Sequence, residues 1–313
     1  MQPLLGRPRA SGSDRAVPSQ TTRIDVAPPF ELRLCLFGHG WVSLAPHDWD
    51  DARERLDTAL RLGSTVVDAA LHQTGAGRLA LRLESRRRLT GAQLAAARRQ
   101  IAHMLRLDDD LSAFHARCRD DPSLAWVARR GGGRLMRSAT VFEDLMKLLF
   151  TTNTTWAGTA AMTRKLVDAL GANAPSGRRA FPTPRRCVQQ ARFYRDVVRA
   201  GYRAEAAVRL ARAFAGGELD DATFLGDQTS DRLWRRLTAL HGFGPYAAGQ
   251  AMRLCGHYDR LALDSWCRAR LAELDGRPGP PSDRAVARRF ARFAPFEGLA
   301  MWCRLTAQWH GEG

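Results

Sequence analysis

The chain is poor in lysine, in closely spaced cysteines and in long apolar runs. Only Lys147 and Lys165 occur among its 48 lysines and arginines, so chemistry that needs a side-chain amine has two candidates. The six cysteines (Cys35, Cys118, Cys187, Cys255, Cys267, Cys303) include no pair at two-residue spacing. That argues against zinc or an iron–sulfur cluster and suits free thiols in a reducing cytosol. No apolar run approaches the ~20 residues of a membrane helix, and residues 1–28 contain no hydrophobic stretch of the secretory kind. Acidic residues are outnumbered as well, 32 against 48, which leaves a formal net charge of +16 over 313 residues. Such an excess points to a polyanionic partner, most simply nucleic acid. With 45% hydrophobic and 26% charged residues, wholesale disorder is excluded.

Residues 1–28 are rich in Ser, Pro, Thr and Arg and carry no periodicity, so a disordered basic tail is expected there. Beyond it, Glu31-Leu-Arg-Leu-Cys-Leu alternates apolar and polar residues as a half-buried strand does; the stretch at 55–62 alternates likewise, with helix as its other reading, and strand-like stretches follow at 65–71 and 78–83. Gly63 and Gln73-Thr-Gly-Ala-Gly supply turn material between them. These features predict one antiparallel sheet over roughly 29–88. From about 90 the period becomes helical. A helix over 91–107 is expected to cover the sheet, and Thr140-Val-Phe-Glu143 reads as a capping box. The helix it opens is expected to bury one stripe of Phe142, Leu145, Met146 and Leu149. Further helices are predicted at 185–199, 203–215, 231–240, 245–254, 265–274, 283–293 and 296–309. The expected fold class is therefore α+β: a disordered tail over 1–28, a small N-terminal sheet domain with its covering helix over 29–115, and a mostly helical domain over 116–313.

The most informative stretch is Leu240-His-Gly242-Phe-Gly244-Pro245-Tyr246, a helix end, a four-residue turn and a new helix. Gly242 and Gly244 permit turn conformations and a close approach to the main chain. Pro245 fits the first helical turn, where its missing N–H costs nothing. The exposed amides and the helix dipole then form an anion site that would hold a phosphate without reading a base. Eighteen residues after Tyr246 comes Asp264-Ser265-Trp266, at a predicted helix start. Taken alone, this Asp suits an ordinary N-cap.

With the hairpin ahead of it, Asp264 gives the chain a resemblance to the helix–hairpin–helix DNA glycosylases of base excision repair. In these enzymes a Gly/Pro-rich hairpin is followed by an obligatory Asp. Phe142 to Trp156 likewise resembles the helix and turn that carry the DNA-penetrating residue in that family. The likeness covers about 90–313. Residues 29–88 would then match the amino-terminal sheet of bacterial 3-methyladenine and 8-oxoguanine glycosylases.

The resemblance implies roles. Asp264 would stabilise the positive sugar that forms as the base leaves, and would orient or deprotonate water. Tyr246 occupies the position where bifunctional members carry a lysine, which implies a monofunctional hydrolase. Tyr246 and Trp266 would line the pocket for the flipped base, Gly242 and Gly244 would grip phosphate, and Asn153 would fill the gap or meet the orphaned partner. The residue five positions on is Gly158, where 8-oxoguanine glycosylases have Arg, which favours alkylated purines over strict reading of an opposite cytosine. Oxidised or deaminated purines are the alternative substrates, and a non-catalytic damage-binding or architectural DNA protein is the alternative of another class.

No metal or cofactor is implied beyond a structural monovalent cation at the hairpin main chain. The expected partner is double-stranded DNA carrying a damaged base, met by a monomer in the cytoplasm of a bacterial-type cell, at the nucleoid. If about five arginines neutralise phosphates, log affinity should fall against log salt with a slope of roughly −4 to −5. Arg129, Arg130, Arg134 and Arg137 around Gly131-Gly-Gly are candidates for that role, a solvated charged loop being the other reading. Trp234, Trp302 and Trp309 are expected in the core.

Overall fold

The computed structural model describes residues 17–312. The first part of the chain forms a five-stranded antiparallel sheet of β1 (Ser19–Asp25), β2 (Asp48–Asp50), β3 (Arg55–Leu62), β4 (Thr65–Gly75) and β5 (Arg78–Glu84), in the order β1-β5-β4-β3-β2. The alternation read in the sequence is the physical cause. Leu56, Leu60, Val67, Leu71, Leu79 and Leu81 point to one face, where Ala97, Ile101, Met104 and Leu105 of the Gly91–Leu105 helix cover them. Thr90 and Gln93 close a reciprocal capping box at the start of that helix.

Two local expectations are corrected. Residues 19–25, placed in the disordered tail, pair along β5 from Ser19 opposite Glu84 to Asp25 opposite Arg78. This is an edge strand, and among its residues only Ile24 is buried, so main-chain bonding holds it without a hydrophobic pattern to announce it. The rest of that tail, residues 1–16, lies outside the described residues. The second correction is Leu32–Leu36, a short helix where a strand is expected. Leu32, Leu34, Cys35 and Leu36 are all buried, and five residues are too few to separate a period of 2 from one of 3.6.

The helical part is built around Val141–Thr151, whose residues from Val141 to Phe150 are all buried, not merely one stripe. Thr140 caps it by accepting from the Glu143 amide at 3.2 Å. The expected capping box is only half formed, because the Glu143 carboxylate turns inward to Lys147 Nζ at 2.6 Å. Burial raises the carboxyl pKa of Glu143 and of Asp144. Asp144 accepts from the Ser138 amide at 2.8 Å and from the indole of Trp41 at 2.6 Å, tying the sheet side to the central helix.

Two apolar cores flank the remaining helices. One gathers Trp41, the central helix and the segments from 162 to 254. The other joins residues 111–135 to the C-terminal helices, including Phe114, Tyr258 and Phe293. The 185–199 stretch is broken into Pro184–Cys187, Ala191–Phe193 and a π-turn over Tyr194–Val198. No helix among the described residues is long and apolar enough to cross a membrane.

Candidate active site

The hairpin runs from the Ser230–Ala239 helix into the Pro245–Leu254 helix. Phe243 is buried in the core and donates its amide to Leu240 O at 3.0 Å, which fixes the turn from inside. Gly242 has φ +87, and a Cβ there would lie 2.9 Å from both Ala206 Cβ and Leu149 Cδ1, so both backbone and space demand glycine. Gly244 has φ −82 with nothing near its missing Cβ, so its role is access rather than conformation. No side chain caps this helix, and its first main-chain bond is Ala248 N to Gly244 O at 3.0 Å. The amides ahead of that bond have no intrahelical partner and face outward with the positive end of the dipole. A carboxylate introduced by Gly244→Asp would fill this end. Its expected effect is a duplex affinity at least about tenfold lower with an unchanged or slightly higher Tm, since Asp is as good a cap as Gly or better. Fluorescence anisotropy and thermal melts check the two halves of that prediction.

Beyond the helix the chain doubles back across it. Ala262 adopts φ +52, and a Cβ on Gly249 would lie 2.6 Å from Ala262 Cβ. Only glycine at 249 lets the two segments cross this closely, and the crossing sets Asp264 beside the hairpin. Asp264 then caps the Ser265–Leu274 helix, accepting from the Cys267 amide at 2.7 Å. The cap fixes the carboxylate at the wall of the cleft. The Cys267 thiol beside it is buried, and desolvation pushes its pKa up to about 12, which makes it an inert neighbour.

A cleft of about 1240 Å³ gathers the six residues to which the resemblance gives roles: Asp264, Tyr246, Trp266, Gly242, Gly244 and Asn153. The Tyr246 hydroxyl is pushed up to about 12, first by burial and then by the Asp264 charge, so it remains a neutral phenol. Trp266 is 41% exposed and packs 5.9 Å from both Trp302 and Trp309. Those two tryptophans were expected in the core; they are brought here by the Glu297–Thr306 helix and the turn after it, and both line the cleft. Trp234, by contrast, is packed against the core with Arg260 over its ring. Opposite, Trp41 and Trp156 lie 6.3 Å apart, with His39 4.7 Å from Trp41.

His39 is buried, and desolvation holds its pKa down to about 3. Its folded value lies below its ordinary 6.5, so the stability linked to neutral His39 is complete above pH 6.5 and is lost as pH falls from there toward 3. At pH 5 the loss amounts to about 2 kcal/mol for this one group. The difference in unfolding free energy between the chain and its His39→Gln variant should therefore shrink by that amount between pH 7.5 and 5 in paired urea titrations.

Asn153 sits in the turn between the central helix and Trp156–Leu170 with φ +44, a left-handed conformation that Asn tolerates better than most residues. It is exposed, and it is Thr155 that caps the following helix. Its Nδ2 donates to the Tyr202 hydroxyl at 3.2 Å, while Arg203 donates to Asn153 O at 3.1 Å. Tyr202 and Arg203 carry no signal in the sequence; only the fold sets them under this turn. A Cβ on Gly158 would lie 2.5 Å from Oγ1 of the exposed Thr154, a contact that rotation of that side chain can relieve, so the fold does not itself demand glycine there.

The arginines around Gly131-Gly-Gly have partners within the chain, and none of them lines the cleft. Arg129 pairs with Glu312 at 2.8 Å, Arg130 with Glu31 at 2.5 Å, and Arg134 and Arg137 donate to main-chain carbonyls of Asp109 and His103. Lys147 is fully buried with Glu143, and Lys165 is exposed on the Trp156–Leu170 helix; neither lines the cleft.

No protein-family model matches the chain, and no curated protein matches it in sequence. Solved structures do. A 3-methyladenine DNA glycosylase from Archaeoglobus fulgidus superposes with a TM-score of 0.72 at 17% identity, over 92% of this chain and 99% of its own. The 8-oxoguanine glycosylase/lyase of Clostridium acetobutylicum gives 0.70 at 16% identity, over 92% and 98%. The same enzyme in complex with DNA containing cytosine opposite 8-oxoguanine gives 0.64 at 15%, over 88% and 93%. From sheet to C-terminal helices, the chain has the fold of the helix–hairpin–helix DNA glycosylases.

Proposed function

We propose that the chain is a monofunctional DNA glycosylase of base excision repair, hydrolysing the N-glycosidic bond of a damaged purine flipped out of duplex DNA. The observation that carries this reading is the convergence of an amide-lined hairpin, a fixed carboxylate and aromatic walls on one cleft. The hairpin amides would hold a phosphate of the lesion strand, bringing the extruded nucleotide over the Asp264 carboxylate. As the C1′–N bond breaks, its electrons leave with the base and C1′ becomes cationic. Asp264 stabilises that charge and accepts the proton of the water that adds to C1′, leaving an abasic site. The indoles return part of the unstacking energy, on the order of 1–3 kcal/mol per stacked base.

Hydrolysis rather than amine attack is supported by Tyr246 beside the hairpin and by the absence of any lysine from the cleft lining. Strand cleavage is therefore expected only after alkali, and borohydride during turnover should trap no covalent complex. A trapped adduct would contradict the monofunctional reading.

Two observations bear on the lesion. The tryptophan walls and Gly158 support alkylated purines, the class the sequence favours. A buried arginine in the same cleft, Arg253, supports the second reading, an uncharged oxidised or deaminated purine.

A further inference from the structure

Arg253 is 2% exposed, yet it lines the cleft from the hairpin's second helix. No carboxylate among the described residues pairs with it. Its Nη1 donates to Gln250 Oε1 at 3.0 Å, its Nη2 to Leu261 O at 3.3 Å, and its Nε has no partner. Burial pulls the guanidinium pKa down from its ordinary value, but arginine stays charged at any physiological pH. An unpaired buried cation is costly to keep, which points to a use for it. Two consequences follow. The guanidinium lies 4.9 Å from the Trp302 ring, so the protein's own cation already occupies that indole. Gln250 Oε1 is also engaged, which turns the amide group of this cleft-lining side chain into a donor toward a bound molecule.

We propose that Arg253 and Gln250 form a positively charged, donor-only wall that admits an uncharged damaged base with a hydrogen-bond acceptor and turns away cationic N-alkylated purines. The inference rests on the reading of the cleft as a base pocket. A second unit charge a few ångströms from Arg253 in a poorly solvated cleft is repelled strongly enough to change a rate by a factor on the order of a hundred. Cationic 7-methylguanine would meet that repulsion, whereas hypoxanthine, neutral with a carbonyl at C6, would accept from Gln250.

The test compares single-turnover excision by the full chain from duplexes carrying one hypoxanthine or one 7-methylguanine, each opposite cytosine. Each rate is divided by spontaneous base loss from the same duplex. The wild-type chain should favour hypoxanthine by about tenfold or more, and Arg253→Met should reduce that preference at least tenfold. Arg253 also braces the Leu261 carbonyl ahead of Asp264, but a merely structural role would lower both rates together and leave their ratio unchanged. Should the Met variant fail to fold, Gln250→Glu, which places an acceptor and a negative charge on the same wall, should raise the 7-methylguanine share. A wild-type chain that removes 7-methylguanine as well as or better than hypoxanthine overturns the proposal, as does an unchanged ratio in the folded variants. If neither base is released, excision of the other damaged purines decides the glycosylase reading, which fails only when none of them is released. The affinities of the wild-type chain for the two duplexes then decide the charge claim: tighter binding of the hypoxanthine duplex supports it and equal binding overturns it.

Discussion

Replacing Asp264 with Asn should lower single-turnover excision by about a thousandfold while leaving fold and duplex binding intact. The size follows from removing a preorganised charge next to a developing cation. What makes the substitution informative is the cap. Asn caps helices as well as Asp does, so its side-chain oxygen can go on accepting from the Cys267 amide. The Tm should therefore move by only a few tenths of a kcal/mol in equivalent stability, and the loss of activity cannot be assigned to unfolding. Duplex affinity should hold or rise slightly, because a negative charge leaves the DNA-facing cleft. A fall in affinity matching the fall in rate would assign Asp264 to binding instead of chemistry.

The second large effect lies one layer behind the site. Gly249→Ala should reduce excision by about a hundredfold with little change in duplex affinity. The new methyl would need the space of Ala262 Cβ, 2.6 Å away, and the segment carrying Asp264 would have to lift. A displacement of about 1 Å at a reacting group is enough for a loss of this order. The hairpin amides lie about one turn earlier in the same helix, and the methyl would point at the Ala262 segment and not at them, so phosphate binding should persist. Equal losses in rate and affinity would show that the crossing supports the hairpin rather than the carboxylate.

These two residues also mark how far the sequence could be read. Gly242, Gly244, Tyr246 and Asp264 fall within 23 positions, and their local pattern of turn, helix start and cap is dictated by short-range backbone rules. Asn153 stands in a turn of the same legible kind. Gly249 looks like one more small residue in Ala247-Ala-Gly, and nothing local says that another segment will cross it. The same holds for Trp302 and Trp309, which share a helical period with core residues and reach the cleft only because the C-terminal helix packs beside the hairpin. Arg253 is the sharpest case, since an arginine at that position reads as a solvated helix face until burial is known. In the sheet, β1 was missed because an edge strand is held by main-chain bonds that leave no apolar signature. The arginines of the Gly131 loop mark the opposite limit: charge is visible in a sequence, but the ion-pair partners of Arg129 and Arg130, more than 90 residues away, are not.

The central claim is that this cleft takes a base out of DNA and cuts it from its sugar. The most direct measurement is mass-spectrometric detection of free base released from duplexes carrying single methylated, oxidised or deaminated purines, with the chain in excess. The account predicts that at least one free damaged purine appears, in amounts matching the abasic sites left in the strand. Tight binding of every duplex with no base released would contradict it.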